Sequence, residues 1–202
     1  MKKNLLALAV LCAMSSGAAF AQQADGSWLV RARAVNLDSA NKGSLGKGSA
    51  LDLSINDKVI PEVDITYFFS PNIAAELILT YPQKQDVRSG GEKIGTLKHL
   101  PPTLTAQYHF TNFSGFKPYV GAGVNYTRFS SVNILNGAAT IDRNSFGGAL
   151  QVGVDVPLTK NLYLNVDVKK VYIKTDVSVA GVKAGSFKVD PVLFGIGLGY
   201  RF

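Results

Sequence analysis

The stretch 190-DPVLFGIGLGYRF-202 decides the fold. From Val192 the even positions are Val192, Phe194, Ile196, Leu198, Tyr200 and Phe202, whereas the odd ones are Leu193, Gly195, Gly197, Gly199 and Arg201. That is period two, an extended strand with one large apolar face and one face of glycines and an arginine. The final Phe202 is not the polar tail in which chains usually fray. It completes the apolar face.

Seven more runs alternate in the same way. In 28-WLVRARAV-35, Trp28, Val30, Ala32 and Ala34 oppose Arg31 and Arg33. In 62-EVDITYFF-69, Val63, Ile65, Tyr67 and Phe69 oppose Glu62 and Asp64. In 73-IAAELILTY-81, Ala75, Leu77, Leu79 and Tyr81 oppose Glu76, and in 103-TLTAQYHF-110, Leu104, Ala106, Tyr108 and Phe110 oppose Gln107 and His109. The runs 118–127, 146–156 and 162–169 repeat the pattern, with Gln151, Asp155, Asp167 and Lys169 on their polar faces.

A soluble sandwich also alternates, but two features favour a membrane barrel. Charges of both signs (Arg31, Arg33, Glu62, Asp64, Glu76, Asp155, Asp167, Lys169 and Arg201) fall on the polar faces, and none falls on the apolar faces. The connections 70–72, 111–117 and 157–161 are short, while 36–61, 82–102, 128–145 and 170–191 are long. Apolar-out, polar-in strands with short turns at one end and long loops at the other are the pattern of an outer-membrane barrel. The expected fold is therefore all-β, an eight-stranded antiparallel transmembrane β-barrel with short periplasmic turns and long extracellular loops. With no free edge allowed in lipid, the first run must close against the last. Aromatic residues near the strand ends, Trp28, Tyr67, Phe69, Tyr81, Tyr108, Phe110, Tyr126, Phe146, Tyr200 and Phe202, supply two interfacial girdles. Lys170 leaves two options open: the seventh strand reaches the interface there, or a bulge shifts its register.

The N-terminal segment MKKNLLALAVLCAMSSGAAFA joins two lysines, a short apolar run and Ala19-Phe20-Ala21, as in a secretory signal peptide. Residues 1–21 are read as that signal and 22–202 as the barrel. Cys12, the only cysteine, lies in the signal, so no disulfide or thiol chemistry is expected beyond it. Removing Lys2 and Lys3 from the formal charge of +7 leaves +5. Lys84, Arg88, Lys93, Lys98, Arg128, Arg143 and Lys174 place basic charge at the long-loop end. They suit either a solvated surface or the phosphates of lipopolysaccharide. The lumen charges read as a plug, since eight strands enclose a space that side chains fill.

Catalytic and cofactor signals are missing. His99 and His109 are the only histidines, too few for a cluster of several imidazoles on a metal. No P-loop, dinucleotide fingerprint or nucleophile elbow occurs. Neither enzyme activity nor a cofactor is expected.

Particular strings carry a resemblance: 100-LPPTLTAQYHF-110, 117-KPYVGAGVNYTRF-129, and Asp190-Pro191 followed by the closing GLGYRF. Together they resemble the OmpW family of small outer-membrane proteins, which includes the alkane-uptake protein AlkL, over Trp28 to Phe202. The resemblance implies passive uptake of small hydrophobic molecules through an apolar outer channel that is closed toward the periplasm, with lateral release into the membrane. On that basis Leu51, Leu53, Ile55, Leu97 and Leu100 are channel candidates. Pro101 and Pro102, which lack backbone donors, are candidates for the exit, or simply for the end of a strand. The alternative is a surface structural or interaction barrel whose loops bind lipopolysaccharide, phage or bacteriocin. Expected partners are outer-membrane lipids, lipopolysaccharide, the barrel-assembly machinery and a small apolar substrate, with no nucleic acid, for a chain expected to be monomeric in the outer membrane of a Gram-negative bacterium.

Tyr200 and Phe202 fit the closing-strand pattern that outer-membrane assembly machinery recognises. Deleting Phe202 should lower the amount of heat-modifiable barrel in the membrane, on semi-native gels, more than it lowers transport per assembled molecule.

Overall fold

The computed structural model describes residues 26–202; the signal-peptide reading and Cys12 lie outside them. Among the described residues, fourteen strands form one antiparallel sheet system. Eight make a closed wall: β1 (Trp28–Asp38), β3 (Lys58–Phe68), β4 (Ile73–Thr80), β7 (Thr103–His109), β8 (Lys117–Ile134), β10 (Asn144–Pro157), β11 (Leu162–Val171) and β14 (Val192–Arg201). Closure is made by β1 on β14, in continuous register from Leu29↔Arg201 to Asp38↔Val192. The Phe202 N–H donates to the carbonyl of Trp28 at 2.9 Å, and the Trp28 N–H donates back at 3.2 Å.

The faces follow the alternation. Arg31, Glu62, Glu76, Thr105, Asn125, Gln151, Asp167 and Arg201 point inward and are buried, while Leu77, Leu104, Val124, Val152, Phe194, Ile196 and Leu198 lie on the outside. Exposed aromatics mark both edges of this apolar band: Trp28, Phe69, Tyr108, Phe110 and Tyr200 at the short-turn end, Tyr81, Tyr126 and Phe146 at the other. Phe113 and Phe116 extend the first girdle and Tyr172 the second. At Lys170 there is no bulge. The β11 register runs unbroken through Lys169↔Leu193 and Lys170↔Val192, so Lys170 points outward at the strand top and its ammonium group snorkels to the Asp190 carbonyl.

The long connections are less irregular than their sequences suggest. Residues 82–102 hold a hairpin of β5 (Gln83–Ser89) and β6 (Glu92–Leu100), turned at Gly90-Gly91, both with positive φ. β2 (Leu53–Ile55) pairs with β5, and β6 pairs with the upper part of β8. A second hairpin, β12 (Lys174–Val179) with β13 (Val182–Lys188), pairs with β9 (Ala139–Ile141). The wall thus continues above the outer girdle, and there its polarity inverts. Val87, Leu97, Phe129, Val171, Val177 and Phe187 point inward, while Lys84, Lys98, Arg128 and Lys174 point out. Facing water instead of lipid, the extension buries an apolar core of its own.

Glycines shape the crowded lumen where large side chains cross it. A Cβ on Gly195 would stand 3.3 Å from Arg33 Cδ, and one on Gly199 3.0 Å from Arg31 Cγ, so the glycine face of β14 leaves room for both arginines. Gly153 lies directly opposite Tyr119, and a Cβ there would overlap the tyrosine ring. Because Tyr119 is fully buried, Gly153→Leu should destabilise the barrel by about 1–3 kcal/mol or more through overpacking. Urea unfolding in detergent, read by heat-modifiability, measures the loss; unchanged stability would disprove this packing account.

Candidate functional site: an apolar chamber above a charged plug

Three layers occupy the interior. At the bottom, β1 supplies two arginines on one face, two residues apart, with carboxylates presented by the neighbouring strands. Arg33 reaches Asp64 at 2.5 Å, Glu76 at 3.0 Å, Asp167 at 3.1 Å and Glu62 at 3.4 Å. Arg31 reaches Asp155 at 2.6 Å and Glu76 at 2.9 Å. Lys169 bridges Glu62 at 2.5 Å and Asp167 at 3.1 Å. The carboxylates outnumber these three cations, and neutral donors serve several of the remaining lone pairs. Gln107 and Gln151 each donate to Glu76 at 2.8 Å, and the Tyr119 hydroxyl donates to Asp167 at 2.9 Å. Eight of the nine predicted plug residues therefore meet in one network. Arg201 stands apart at the short-turn rim, donating to the Gly26 carbonyl at 2.6 Å with its guanidinium 3.9 Å from the centre of the Phe68 ring. His109 stacks between Phe68 and Tyr119 and bonds to Gln107 at 2.9 Å.

At the top lies a chamber of about 140 Å³. Leu51, Leu53, Ile55 and Leu97 line it as the sequence suggested, together with Val87, Phe129, Val177 and Phe187. Leu100 does not; it follows inward-facing His99, and period two turns it to the outer face. Leu51 is half-exposed at the rim.

Between chamber and plug is a cavity of about 20 Å³, room for roughly one water. Its walls join Ile60, Ile78 and Leu193 to Glu62 and Lys169 of the plug and to Thr80, His99, Pro101 and Thr103. His99 is buried, and burial, then the charge of Lys58, push its pKa down to about 4.

The wall beside this cavity is interrupted. The β4–β7 ladder ends at Ile78↔Thr103, and pairing resumes only at Gln83↔His99 between β5 and β6. The gap holds Pro82 on one side and Pro101-Pro102 on the other, none of which can donate to a ladder. Pro82 was not among the residues that sequence singled out, because it sat inside an apparent loop. Asn125 compensates: its side-chain amide donates to the carbonyls of Pro101 at 3.2 Å and Pro102 at 3.1 Å, and to the Thr103 hydroxyl at 2.8 Å. So two of the diagnostic strings, LPPT and NYT, meet in one structural device. Outside the wall, Leu77, Pro102, Leu104, Val124, Tyr126 and Phe146 line an apolar groove at the same height.

The seven basic residues that the sequence singled out at the outer end are all exposed. Lys84 and Lys98 are direct cross-strand neighbours, and Arg128 opposes Leu100 one step below. Lys93 instead pairs with Asp86 at 2.8 Å.

Comparison with known proteins agrees with this architecture. The model of the OmpW family matches residues 24–202. The chain is 44% identical over 182 residues to the outer-membrane protein y4mB of Sinorhizobium fredii, covering 87% of the chain and 80% of that relative. It is 33% identical to outer membrane protein W of Vibrio cholerae over the full length of both. To the dibenzothiophene metabolism operon protein PahQ of Pseudomonas aeruginosa it is 28% identical, covering 77% of the chain and 76% of PahQ. Among solved structures, OprG from Pseudomonas aeruginosa superposes with a TM-score of 0.75 at 26% identity, covering 88% of this chain and 96% of OprG. AlkL in lipid bilayers superposes with a TM-score of 0.66 at 28% identity, covering 88% and 90%.

Removing one arginine from a buried network leaves its carboxylates uncompensated. Arg33→Met should cost about 3–5 kcal/mol, more than Lys93→Met on the exposed pair, which should cost under about 1 kcal/mol. Equilibrium unfolding in detergent compares the two; equal losses would refute the plug as the source of stability.

Proposed function

The chain belongs to the OmpW family and is an outer-membrane β-barrel, and from that premise we propose that it mediates passive uptake of small hydrophobic molecules that enter the outer chamber and leave sideways into the membrane. The observation that carries this reading is the vertical order of the lumen. An almost wholly apolar chamber opens outward, a charged plug fills the space below, and the wall ladder is missing at the height between them.

The physical chemistry runs in one direction. An apolar solute gains on the order of 25 cal/mol for each Å² it removes from water, so the chamber takes it up from the aqueous or polysaccharide side. Going further down would require displacing buried ion pairs, at a cost of several kcal/mol. The gap at Pro82, Pro101 and Pro102 offers another way, because no backbone hydrogen bonds have to be broken there and the groove outside it faces lipid. PahQ is named for dibenzothiophene metabolism, and a fused apolar ring system is the class of solute such a chamber accepts. Leu51, Leu53, Ile55 and Leu97 then act as the entry wall, with Pro82, Pro101 and Pro102 at the exit. No reacting group is assigned to either place.

Uptake of naphthalene or dibenzothiophene from the medium should be faster in wild-type cells than in a deletion strain. Val177→Arg, which puts a charge into the chamber, should fall near the deletion level while the barrel still assembles. Equal uptake in all three strains would remove the proposal.

One observation favours a second, compatible role on the outside. Like charges directly opposite on a sheet repel, and Lys84 facing Lys98 with Arg128 nearby is an arrangement that an anion shared between them relieves. The phosphates of lipopolysaccharide are such anions at this height. Lys84→Glu with Lys98→Glu should reduce lipopolysaccharide co-purifying with the barrel, and binding by the wild type should weaken with salt; unchanged co-purification would leave the cluster as an ordinary solvated surface.

A further inference from the structure

The lumen face of the β5–β6 hairpin carries a polar patch that the apolar chamber does not explain. Gln83, Gln85 and His99 are buried. The Gln83 amide nitrogen donates to Thr80 Oγ1 and to the Tyr81 carbonyl, but its oxygen meets no partner. Neither polar atom of Gln85 and neither ring nitrogen of His99 has a partner. Five polar atoms in one patch are thus unpartnered, each costing about 1–3 kcal/mol if left so.

Their placement is specific. Gln85 lies on β5 between Val87, in the chamber wall, and Gln83, which opposes His99 in register. His99 lines the small cavity at the exit gap, and its ring lies 6.5 Å from that of Phe129, which lines the chamber. His99 therefore reaches the step between chamber and exit, and Gln83 and Gln85 flank it on the same inward face.

We propose that Gln83, Gln85 and His99 form a hydrogen-bonding subsite that selects, among apolar molecules, neutral ones bearing a hydroxyl or similar donor-acceptor head. This rests on the uptake reading above and narrows its substrate class. An amide offers both a donor and an acceptor, and a neutral imidazole likewise offers one of each, which matches a hydroxyl that must give one hydrogen bond and receive another. His99 is neutral at pH 7, its pKa held near 4, so no member of the patch carries a charge to balance an ionic head. An ionised head would be desolvated with no charge within the patch to balance it, the nearby Lys169 being already paired with Glu62, whereas a neutral head meets the orphaned atoms. Discrimination of this kind is the strong form of specificity, because a ligand lacking the hydroxyl leaves the patch unpaired.

The test uses the full mature chain in lipid nanodiscs with two probes, naphthalene and 1-naphthol, titrated by their fluorescence and corrected against empty nanodiscs. Wild type should bind 1-naphthol roughly tenfold tighter than naphthalene, the worth of about one net hydrogen bond. Gln85→Leu and His99→Phe, measured separately, should each bring that ratio close to one while naphthalene affinity stays within about twofold. Gln85→Leu should also keep or raise the thermal midpoint, since it removes orphaned polar atoms from an apolar surrounding. Naphthalene binding without any preference for the hydroxyl, a preference that survives both variants, or a lowered midpoint in Gln85→Leu, which would give the amide to the fold, overturns the subsite alone. Binding of neither probe by wild type overturns the chamber reading along with it.

Discussion

Arg33 sits among four carboxylates contributed by three other strands, and much of the molecule is arranged to make that possible. Two arginines on a single face of β1 must cross the lumen to reach β11 and β10, and the glycines of β14 clear their path. Charges in a low-dielectric interior repay their desolvation only when geometry and extra hydrogen bonds are good. Gln107, Gln151, Asn165 and Tyr119 supply those bonds. The outcome is a filled lower lumen, which sets the terms for everything above it. In an eight-stranded barrel, whose interior is only about wide enough for side chains, this network occupies the lower lumen.

The reversal of polarity along each strand follows from what lies outside the wall. Between the girdles the outside is lipid, so apolar residues face out and polar ones face one another within. Above the outer girdle the outside is water, and the same period-two backbone places Lys84, Lys98 and Arg128 outward with Val87, Leu97 and Phe129 inward. On β8 the switch takes only a few residues: Asn125 and Thr127 are the last polar inward positions and Phe129 the first apolar one. Chamber and plug are thus two consequences of one sheet passing through two solvents.

This explains what could be read from the sequence and what could not. The eight wall strands were legible because lipid outside and charge inside give the strongest possible alternation, as in Arg31 and Arg33 against Val30, Ala32 and Ala34. Eight plug residues were legible for the same reason, and Arg201 shares their inward face but not their network, since parity fixes a face and not a partner. The β5–β6 hairpin was illegible: Gln83 and Gln85 on the inside and Lys84 on the outside are all polar, so hydrophobic alternation vanishes in QKQDVRS. Leu100 looked like a channel residue by chemistry, but its parity sends it outward. Leu51, Leu53 and Ile55 were readable because they alternate with polar neighbours even within a loop.

The prolines acquire their meaning from the requirement that a sheet in lipid have no free edge. A ladder broken by Pro82, Pro101 and Pro102 leaves carbonyls that must find donors or pay for burial. The Asn125 amide donates to both proline carbonyls from the neighbouring strand, beside the Thr103 hydroxyl on Pro101 and the Tyr126 N–H on Pro102, so the interrupted ladder between β4 and β7 leaves no unpaired backbone acceptor at the two prolines. An interruption capped in this way is a stable part of the wall and not a frayed end. It stands at the one level where three things coincide: the charged filling stops below it, the apolar chamber begins above it, and an apolar groove lies outside. A breach lower down would open onto ion pairs, and one higher up would open onto water. On the uptake reading proposed above, this is the height at which an interrupted ladder separates an apolar interior from the groove that faces lipid, with Glu62 and Lys169 directly beneath it.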